Sequence, residues 1–256
     1  MAENKIAVVT GASKGIGLAV TEALLAEGYR VVAGARTISP ELRLLTPHTL
    51  AVDLATPGGP ADLVAVASAL GGIDLLVNNV GGTSGPHPGG FLAVTDEDWL
   101  HTLEATLFSA IRASRAALPS LVERGGQIIT IGSVNARRPA PHLVDLAAAK
   151  AALLTLGKAL AEEFGPRGVR VNTVSPGPVR TAVWTEPGST GDTLARQRGL
   201  SQDELLDTLP AAFGMSTSRI AEPAEIAALV AFLASGKAPN IHGADLVVDG
   251  GLRKEI

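Results

Sequence analysis

Short apolar runs alternate along this chain with longer stretches of helical pattern. The runs are rich in Val, Ile, Leu and Ala, as expected for strands that helices cover on both faces. We predict seven strands, at residues 6–9, 30–33, 49–52, 73–77, 127–131, 169–174 and 246–248. Because helical segments separate most of these runs, the pattern predicts βαβ units around a parallel sheet.

Five stretches have the apolar spacing of helices, and two of them have readable first turns. They cover residues 16–27, 61–70, 96–118, 143–164 and 224–233. Thr95 precedes three acidic residues and suits the N-cap of the third helix, and Pro223 suits the first turn of the last one. The pattern predicts an α/β fold: a doubly wound, seven-stranded parallel sheet with helices on both faces.

A segment at about 182–219 interrupts this alternation. It is rich in Gly, Ser, Thr and Pro, and we expect helical turns between 194 and 209. A loop of this length after a strand is typical of a lid, so we expect a substrate cover; the alternative is a surface insertion without a role. Its larger apolar residues either line a substrate pocket or pack the lid onto the body. They are Val183, Trp184, Leu194, Leu209, Phe213 and Met215.

Composition narrows the class of protein. A length of 256 residues suits one domain over 1–256, and the low charged content of 18% suits a sheet with buried strands. A net charge of −4 without a basic tract gives no footprint for nucleic acid or an anionic membrane. The sequence has no cysteine, no leader-like segment and no apolar run of membrane-spanning length. We therefore expect a cytoplasmic protein and, since no His, Asp and Glu residues have ligand spacing, no catalytic metal.

A glycine-rich turn connects the first predicted strand to the first predicted helix. Residues 10–17 read Thr-Gly-Ala-Ser-Lys-Gly-Ile-Gly. Glycines allow a tight turn and a close approach to a pyrophosphate, which the free N–H groups of the helix N-terminus bind. Such a turn alone is also compatible with an ordinary strand-to-helix connection. Its context and the motifs downstream favour a dinucleotide site.

Further motifs follow the glycine-rich turn in register. They are Asn78-Asn79-Val80-Gly81, Ile131-Gly132-Ser133, Lys150 in the long helix, residues 172–181 and the terminal Val247-Val248-Asp249-Gly250-Gly251. With the glycine spacing, they make the chain resemble the short-chain dehydrogenase/reductase family over its whole length. The resemblance implies a Rossmann-type fold, a nicotinamide dinucleotide, and hydride transfer to or from a small carbonyl or alcohol substrate.

The resemblance also implies which residues contact the cofactor. Asp53 and Leu54 would line the adenine pocket, Asn79 and Gly81 would border the cofactor, and residues 176–181 would hold its nicotinamide end. The cofactor-binding residues that we expect are Gly11, Ser13, Lys14, Gly15, Ile16, Gly17, Arg36, Asp53, Leu54, Asn79, Gly81, Lys150, Pro176, Gly177, Val179 and Thr181.

Charge indicates which nicotinamide coenzyme would bind. An acid after the second strand would hydrogen-bond the adenosine ribose and repel a 2′-phosphate, but residues 34–36 read Gly-Ala-Arg. Arg36 and Lys14 would instead hold the phosphate, although either is also compatible with a solvated surface cation. We therefore predict a preference for NADP(H) over NAD(H).

The catalytic set that the resemblance implies is incomplete. Lys150 would bind the nicotinamide ribose, and Ser133 would hydrogen-bond the substrate carbonyl. The family's Tyr, four residues before the Lys, falls on Leu146 here, and its Asn, which holds a proton-relay water, falls on Thr106. Tyr29 is the one tyrosine of the chain and lies at the far end of the first helix, where we expect it to pack.

His142 is the candidate for a replacement acid. If the long helix begins early, His142, Leu146 and Lys150 stack on one face, whereas Pro141 favours an extended approach and a surface or capping histidine. Asp145 is expected to face away from that row. The remaining histidines, which have no motif around them, are His48, His87, His101 and His242.

Two functions from different classes remain. The chain is an NAD(P)-dependent oxidoreductase for a carbonyl or alcohol, with altered or lost activity, or a non-catalytic NADP(H)-binding scaffold or sensor. Non-redox chemistry in the same pocket also stays open, because function resides in the site rather than in the fold. The resemblance further implies a homodimer or homotetramer, formed through the helices at 96–118 and 143–164 and the last strand. The second of these helices is apolar almost all round, which independently predicts burial on more than one side.

Overall fold

The computed structural model describes residues 5–87 and 89–255, and these contain a seven-stranded sheet. The strands are β1 (Ile6–Thr10), β2 (Arg30–Ala35), β3 (Thr49–Ala51), β4 (Leu75–Asn78), β5 (Gln127–Ile131), β6 (Arg170–Pro176) and β7 (Asp245–Val248). Every neighbouring pair is parallel. Each strand coincides with a predicted one to within about two residues at either end, which confirms the doubly wound fold.

Helices connect the strands and cover both faces of the sheet. They are α1 (Gly15–Ala26), α2 (Pro40–Leu45), α3 (Gly59–Ala69), α4 (Asp96–Leu103), α5 (Ser109–Arg124), α6 (Val144–Phe164), α7 (Ala182–Thr185), α8 (Thr190–Arg198), α9 (Gln202–Phe213) and α10 (Pro223–Ala234). The helix predicted over 96–118 is two helices, α4 and α5, joined by a π-helical turn at Glu104–Phe108. The short helix α2 was not predicted, because six residues give no apolar repeat.

The strand order creates the crevice where open sheets of this type bind ligands. The order is β3-β2-β1-β4-β5-β6-β7, so the chain runs outward from β1 to β3 and then returns to the other side of β1. The connections after β1 and β4 therefore leave the sheet in opposite directions. Between them a cleft opens at the carboxyl ends of the strands.

Alternate residues of the central strands form two separate cores. Val9, Val77 and Ile129 pack on one face with α1 and α10. Val8, Leu76 and Ile128 pack on the other face with α3 and α5. Because adjacent side chains of a strand point to opposite faces, each short strand contributes to both layers, and each fully buried residue stabilises the fold by about 1.5–3 kcal/mol.

The predicted helix starts are confirmed. The Thr95 hydroxyl accepts a hydrogen bond from the Asp98 N–H (3.2 Å), and the Asp98 carboxylate accepts one from the Thr95 N–H (2.9 Å). Pro223 occupies the first turn of α10. In the part of the chain that the structure describes, no helix is long and apolar enough to cross a membrane.

The segment over 182–219 has a core of its own. Leu205, Leu206 and Leu209 are buried there together with Ala195 and Ile220. Of the six apolar residues noted in the sequence, Trp184, Leu194, Leu209, Phe213 and Met215 belong to this cluster. Val183 remains about half exposed. Five of the six therefore pack together within the segment, and Met215 also lies against the body, since a Cβ atom at Gly250 would be 2.6 Å from its methyl group.

Candidate active site

Side chains from β4 hold the glycine-rich turn in place. The Asn79 amide donates hydrogen bonds to the carbonyls of Thr10 (2.9 Å) and Gly11 (3.0 Å). The Thr10 hydroxyl in turn accepts from the N–H groups of Asn79 (2.9 Å) and Val80 (3.0 Å). These contacts connect the ends of β1 and β4 across the cleft. Asn79 thus has a clear role in shaping the turn.

Gly17 allows α1 to approach that turn closely. A Cβ atom at this position would lie 2.2 Å from the carbonyl oxygen of Gly11 and 2.5 Å from the Asn79 amide nitrogen, distances at which atoms overlap. Gly11 has a φ of 67°, in the left-handed region that other residues rarely adopt. These two glycines are therefore required by the geometry of the backbone.

The N-terminus of α1 is open to an anion. Its N-cap residue, Lys14, makes no capping hydrogen bond with its side chain, and the first turn contains no acidic residue. The free N–H groups and the positive end of the helix dipole therefore face the cleft without an internal partner. Ile16, the second residue of the helix, is half-buried against the core on that face. This arrangement suits a diphosphate.

The glycine-rich turn lies beside the end of β2, which leads to Arg36. The Ala12 N–H donates to the Gly34 carbonyl (3.1 Å), which places the glycine-rich turn beside the strand that leads to Arg36. The Ser13 hydroxyl donates to the Thr37 carbonyl. Arg36 is exposed. A phosphate at this corner would lie within reach of an arginine, a serine hydroxyl and the following backbone.

Lys14 has a partner that the sequence did not predict. Its ammonium lies 3.1 Å from a carboxylate oxygen of Glu186, which follows α7, and both side chains are more than half exposed. The ion pair links the glycine-rich turn to the segment over 182–219. A 2′-phosphate would have to share Lys14 with Glu186 or displace it.

The two residues that we expect to contact adenine lie directly after β3. Leu54 is buried, and Asp53 is exposed with one carboxylate oxygen accepting from the Ala55 N–H (3.0 Å). Asp53 retains a second oxygen for a ligand. The two residues thus present an apolar wall and an acceptor side by side.

The segment after β6 returns to the glycine-rich turn. The Gly177 N–H donates to the Val248 carbonyl (2.9 Å), which continues the pairing of Pro176 with the last strand. Val179 is buried. Thr181 lies against the turn, since a Cβ atom at Gly15 would be 3.2 Å from its methyl group. The predicted nicotinamide end and phosphate end of the site are therefore contiguous.

Lys150 and Ser133 stand at the carboxyl end of β5. The Lys150 ammonium donates to the Ile131 carbonyl (2.8 Å), and burial lowers the pKa of this lysine to about 8. Its Nζ atom would lie 3.4 Å from a Cβ atom at Gly81, so it reaches the loop after β4. The Ser133 hydroxyl is half-buried and accepts from the Asn135 N–H (3.1 Å), which leaves its proton free to donate.

Comparison with known proteins agrees with this geometry. A family model described as enoyl-(acyl carrier protein) reductase matches residues 11–253. The 3-oxoacyl-[acyl-carrier-protein] reductase FabG of Escherichia coli is 36% identical over 261 residues, covering 98% of each chain. The chain belongs to the short-chain dehydrogenase/reductase family. The FabG protein of Vibrio harveyi, 34% identical over 98% of each chain, is a further relative.

Solved structures of this family superpose closely on the fold. The L-sorbose reductase of Gluconobacter frateurii, determined with NADPH and L-sorbose, has a TM-score of 0.91 at 32% identity and covers 99% of this chain and 98% of its own. An NADPH-bound short-chain oxidoreductase of Pseudomonas aeruginosa, described as containing an atypical catalytic center, has a TM-score of 0.84 at 31% identity. It covers 99% of this chain and all of its own.

Leu146 and Thr106 occupy the two positions where the resemblance predicts a Tyr and an Asn. Leu146 is half-buried on α6, one turn before Lys150, and has no group that can carry a proton. Thr106 is buried in the π-helical turn, where its hydroxyl donates to the Gly82 carbonyl (2.8 Å) and accepts from the Gly82 N–H (3.1 Å). The hydroxyl's one proton is therefore committed to the loop, and a water would find only an acceptor.

Tyr29 has the packing role that we expect, and His142, the candidate for a replacement acid, is not well placed. Tyr29 is buried, and its hydroxyl donates to the Ala234 carbonyl (3.0 Å), so its expected packing role is confirmed. His142 is exposed and lies in a 3₁₀ turn at Pro141–Leu143, because α6 begins only at Val144. The condition for stacking it on Leu146 and Lys150, an early helix start, is therefore not met.

The sequence did not reveal a buried polar cluster at the start of α6. Asp145 is fully buried and accepts hydrogen bonds from the hydroxyls of Thr102 (2.5 Å) and Thr83 (3.0 Å). The His87 Nε2 atom lies 3.8 Å from the same carboxylate oxygen. The available signal was an acid in the first turn of an otherwise apolar helix, but the partners come from distant segments that no spacing rule connects.

Proposed function

We propose that this protein is an NADP(H)-dependent oxidoreductase that reduces a carbonyl or oxidises an alcohol. The observation that carries the proposal is the buried Lys150 ammonium, which lies beside Gly81 at the carboxyl edge of the sheet. Burying a lysine without a carboxylate partner costs stability, and the lowered pKa reflects that cost. A folded protein retains such a group where it has a task, and here the task is to hold the ribose hydroxyls of a coenzyme.

The cleft has the groups that a dinucleotide needs. The uncapped N-terminus of α1 would bind the diphosphate, Leu54 and Asp53 the adenosine, and Lys150 the second ribose. Arg36 would bind a 2′-phosphate, joined by Lys14 once it leaves Glu186 and by Ser13 once its hydroxyl leaves the Thr37 carbonyl, which supports NADP(H) over NAD(H). Bound NADPH would supply the hydride, so the chain itself has only to orient the substrate and manage its proton.

Ser133 and Lys150 are the residues that we assign to catalysis. The Ser133 hydroxyl would donate to the substrate oxygen and stabilise the negative charge that develops there. Leu146 would contribute an apolar contact in place of an acid. Losing a general acid typically costs a factor of about 10² to 10⁴ in rate, so slow turnover is expected.

The relatives suggest which substrates to test. One is a 3-oxoacyl-[acyl-carrier-protein] reductase and another an L-sorbose reductase, so the panel should include a 3-oxoacyl thioester, a ketose and simple aliphatic ketones. NADPH oxidation would be followed for the wild type, Leu146→Tyr and Leu146→Phe, the last of which restores the ring without its hydroxyl. We expect slow turnover in the wild type and in Leu146→Phe, and turnover up to about 10⁴ times faster in Leu146→Tyr, with a smaller gain the more of the proton transfer another group of the chain already supplies. No turnover of any substrate by any of the three would overturn the proposal.

A non-catalytic coenzyme-binding protein is the second candidate. It is favoured by the absence of a titratable group at Leu146 and by the committed hydroxyl of Thr106. In that case the wild type would bind NADPH tightly and oxidise none of it with any substrate. Leu146→Tyr would be active only if the new phenol happened to lie beside a bound substrate. Calorimetric titration together with the turnover assay separates the two candidates.

We also propose that the protein is a homo-oligomer. A groove of about 480 Å³ runs between α5 and α6, and its apolar walls include Ile111, Leu118, Leu156 and Leu160. The two leucines of α6 are only half-buried, although that helix is apolar almost all round. A second copy packed on this face would complete their burial. A monomeric mass by light scattering at micromolar concentration would refute the proposal.

A further inference from the structure

The Asp145 carboxylate is a buried charge with an unusual set of neighbours. Desolvation alone would raise the pKa of Asp145, but its hydrogen bonds, led by that from Thr102, outweigh this effect and hold the pKa below its ordinary value. The carboxylate is therefore ionised at neutral pH. Among the described residues, His87 is the one basic side chain within salt-bridge distance of it. A protonated His87 would give this charge a partner, and a neutral one would not.

Two atoms of this pair have no hydrogen-bond partner. They are Oδ1 of Asp145 and Nε2 of His87, and both are buried. Nearly all buried polar atoms in proteins are paired, so two unpaired atoms in one cluster call for a specific explanation, and a catalytic role is one. The 3.8 Å separation between Nε2 and Oδ2 is too long for a hydrogen bond and short enough for a small movement of the loop to form one.

His87 lies in the loop after β4 and contacts the turn that precedes α6. Its backbone N–H donates to the His142 carbonyl (2.8 Å), and His142 lies four residues before Leu146. The same loop passes Gly81, beside the Lys150 ammonium. This path places the backbone of His87 close to the first turn of α6, where the resemblance predicts a phenol at position 146.

A second acid faces His87 from α4. Asp98 interacts with the His87 charge, and hydrogen bonds, chiefly from the Thr95 hydroxyl, lower the pKa of Asp98 to about 2. Asp98 from α4 and Asp145 from α6 are thus both negative at neutral pH. They are the charged groups that the packed elements direct toward the imidazole.

We propose that His87, paired with Asp145, donates the proton to the substrate oxygen in place of the absent phenol. The inference rests on the proposed function. In the reductive direction a hydride from NADPH bonds to the carbonyl carbon, the π electron pair moves to oxygen, and that oxygen takes a proton from the His87 imidazolium. The neutral imidazole then regains a proton from water. Asp145 acts through His87 and is a positioning residue.

The test compares His87→Gln in two backgrounds, the wild type and Leu146→Tyr. With Leu146 in place, His87→Gln should lower kcat/KM about a hundredfold, because the proton source is gone. With Tyr at position 146, the same substitution should change kcat/KM less than about threefold, because the phenol donates instead. His142→Gln is the matched control, since it removes an exposed histidine from the same turn and should change neither background. An equal loss in both backgrounds would show a merely structural role and overturn the inference.

The pH profile gives an independent readout. The rate of the wild type should fall at lower pH than the rate of Leu146→Tyr, because an imidazolium loses its proton at lower pH than a phenol does. Profiles that coincide would overturn the inference. A wild type that is inactive while Leu146→Tyr is active would also overturn it and leave the family's ordinary chemistry standing. Inactivity of both proteins would instead overturn the proposed function, and this inference with it.

The ion pair itself can be tested without turnover. Unfolding free energies of His87→Gln, Asp145→Asn and the double variant form a cycle, with Asn chosen because it still accepts from the two threonines. The cycle should give a measurable coupling energy between the two positions. Absence of coupling at any pH would overturn the pairing on which the proton donor depends.

Discussion

The two walls of the cleft are built in different ways. On the first wall, around β1 and α1, the shape depends on glycines, on backbone carbonyls and on one amide, that of Asn79. On the second wall, formed by α4, α6 and the loop after β4, the shape depends on polar side chains that connect separate elements, such as Thr106 and Asp145. Leu146 makes none of those cross-links. A change of side chain at position 146 would therefore leave those cross-links intact.

The largest expected effect comes from replacing Gly17, on the first wall. Gly17→Ala should weaken NADPH binding at least about a hundredfold, which corresponds to roughly 3 kcal/mol, because the new methyl group overlaps the Gly11 carbonyl and forces α1 away from the turn. Calorimetric titration would measure the loss.

Gly58→Ala is the matched control for that experiment. Gly58 has a φ of −91°, and a Cβ atom there meets nothing closer than 3.9 Å, so coenzyme binding should be unchanged. If Gly17→Ala bound NADPH as well as Gly58→Ala does, the first wall would not depend on its backbone contacts as described.

A smaller effect is expected from the coenzyme-selecting corner. Arg36→Ala should weaken NADPH binding about ten- to a hundredfold and leave NADH nearly unchanged, because a charge-assisted hydrogen bond to the 2′-phosphate is worth roughly 1.5–3 kcal/mol. Arg43→Ala, which removes an exposed arginine of α2, is the control for net charge. Equal effects of Arg36→Ala on both coenzymes would mean that Arg36 does not contact the 2′-phosphate.

Lys150 allows function and stability to be separated on the second wall. Lys150→Met should abolish turnover yet raise the free energy of unfolding at pH 7 by roughly 1–3 kcal/mol, because an ammonium whose pKa is lowered to about 8 is less stable folded than unfolded. The unfolded chain binds the extra proton between pH 8 and the ordinary value of 10.5, so the gain is complete below 8 and shrinks as pH rises toward 10.5. Urea unfolding across this range tests it. A variant less stable than the wild type at pH 7 would contradict the assignment.

The smallest expected effect concerns Glu186. Glu186→Gln should tighten NADPH binding about twofold to fivefold, because it frees Lys14 from an exposed ion pair worth roughly 0.2–1 kcal/mol. NADH, which has no 2′-phosphate, should bind as before. Glu22→Gln makes the same change of charge on the exposed side of α1 and serves as the control. If Glu186→Gln also bound NADH more tightly, the effect would come from the segment over 182–219 and not from the release of Lys14.

The sequence predicts the first wall far better than the second. The strands follow from local apolar runs, and the glycine-rich turn follows from a backbone conformation that requires glycine. Both signals lie in residues that are neighbours in the sequence. The partners of Asp145 come from residues 83, 87 and 102, and those of Lys14 from residue 186, so they depend on packing between segments that have no shared period. The π-helical turn escaped prediction for the same reason, since the apolar spacing around it reads as one continuous helix.

That π-helical turn absorbs one residue that a continuous α-helix would not hold. Each of its residues turns by less than an α-helical residue does, and the difference over the whole turn is roughly the 100° of one α-helical residue. Removing one residue, such as Ala105, would therefore let α4 and α5 join as one helix with little change in their relative rotation, and Thr102 would stay beside Asp145. The wide turn from which Thr106 reaches Gly82 would be lost. In this fold a one-residue deletion within 104–108 would alter the support of the loop after β4 and leave the helices on either side in place.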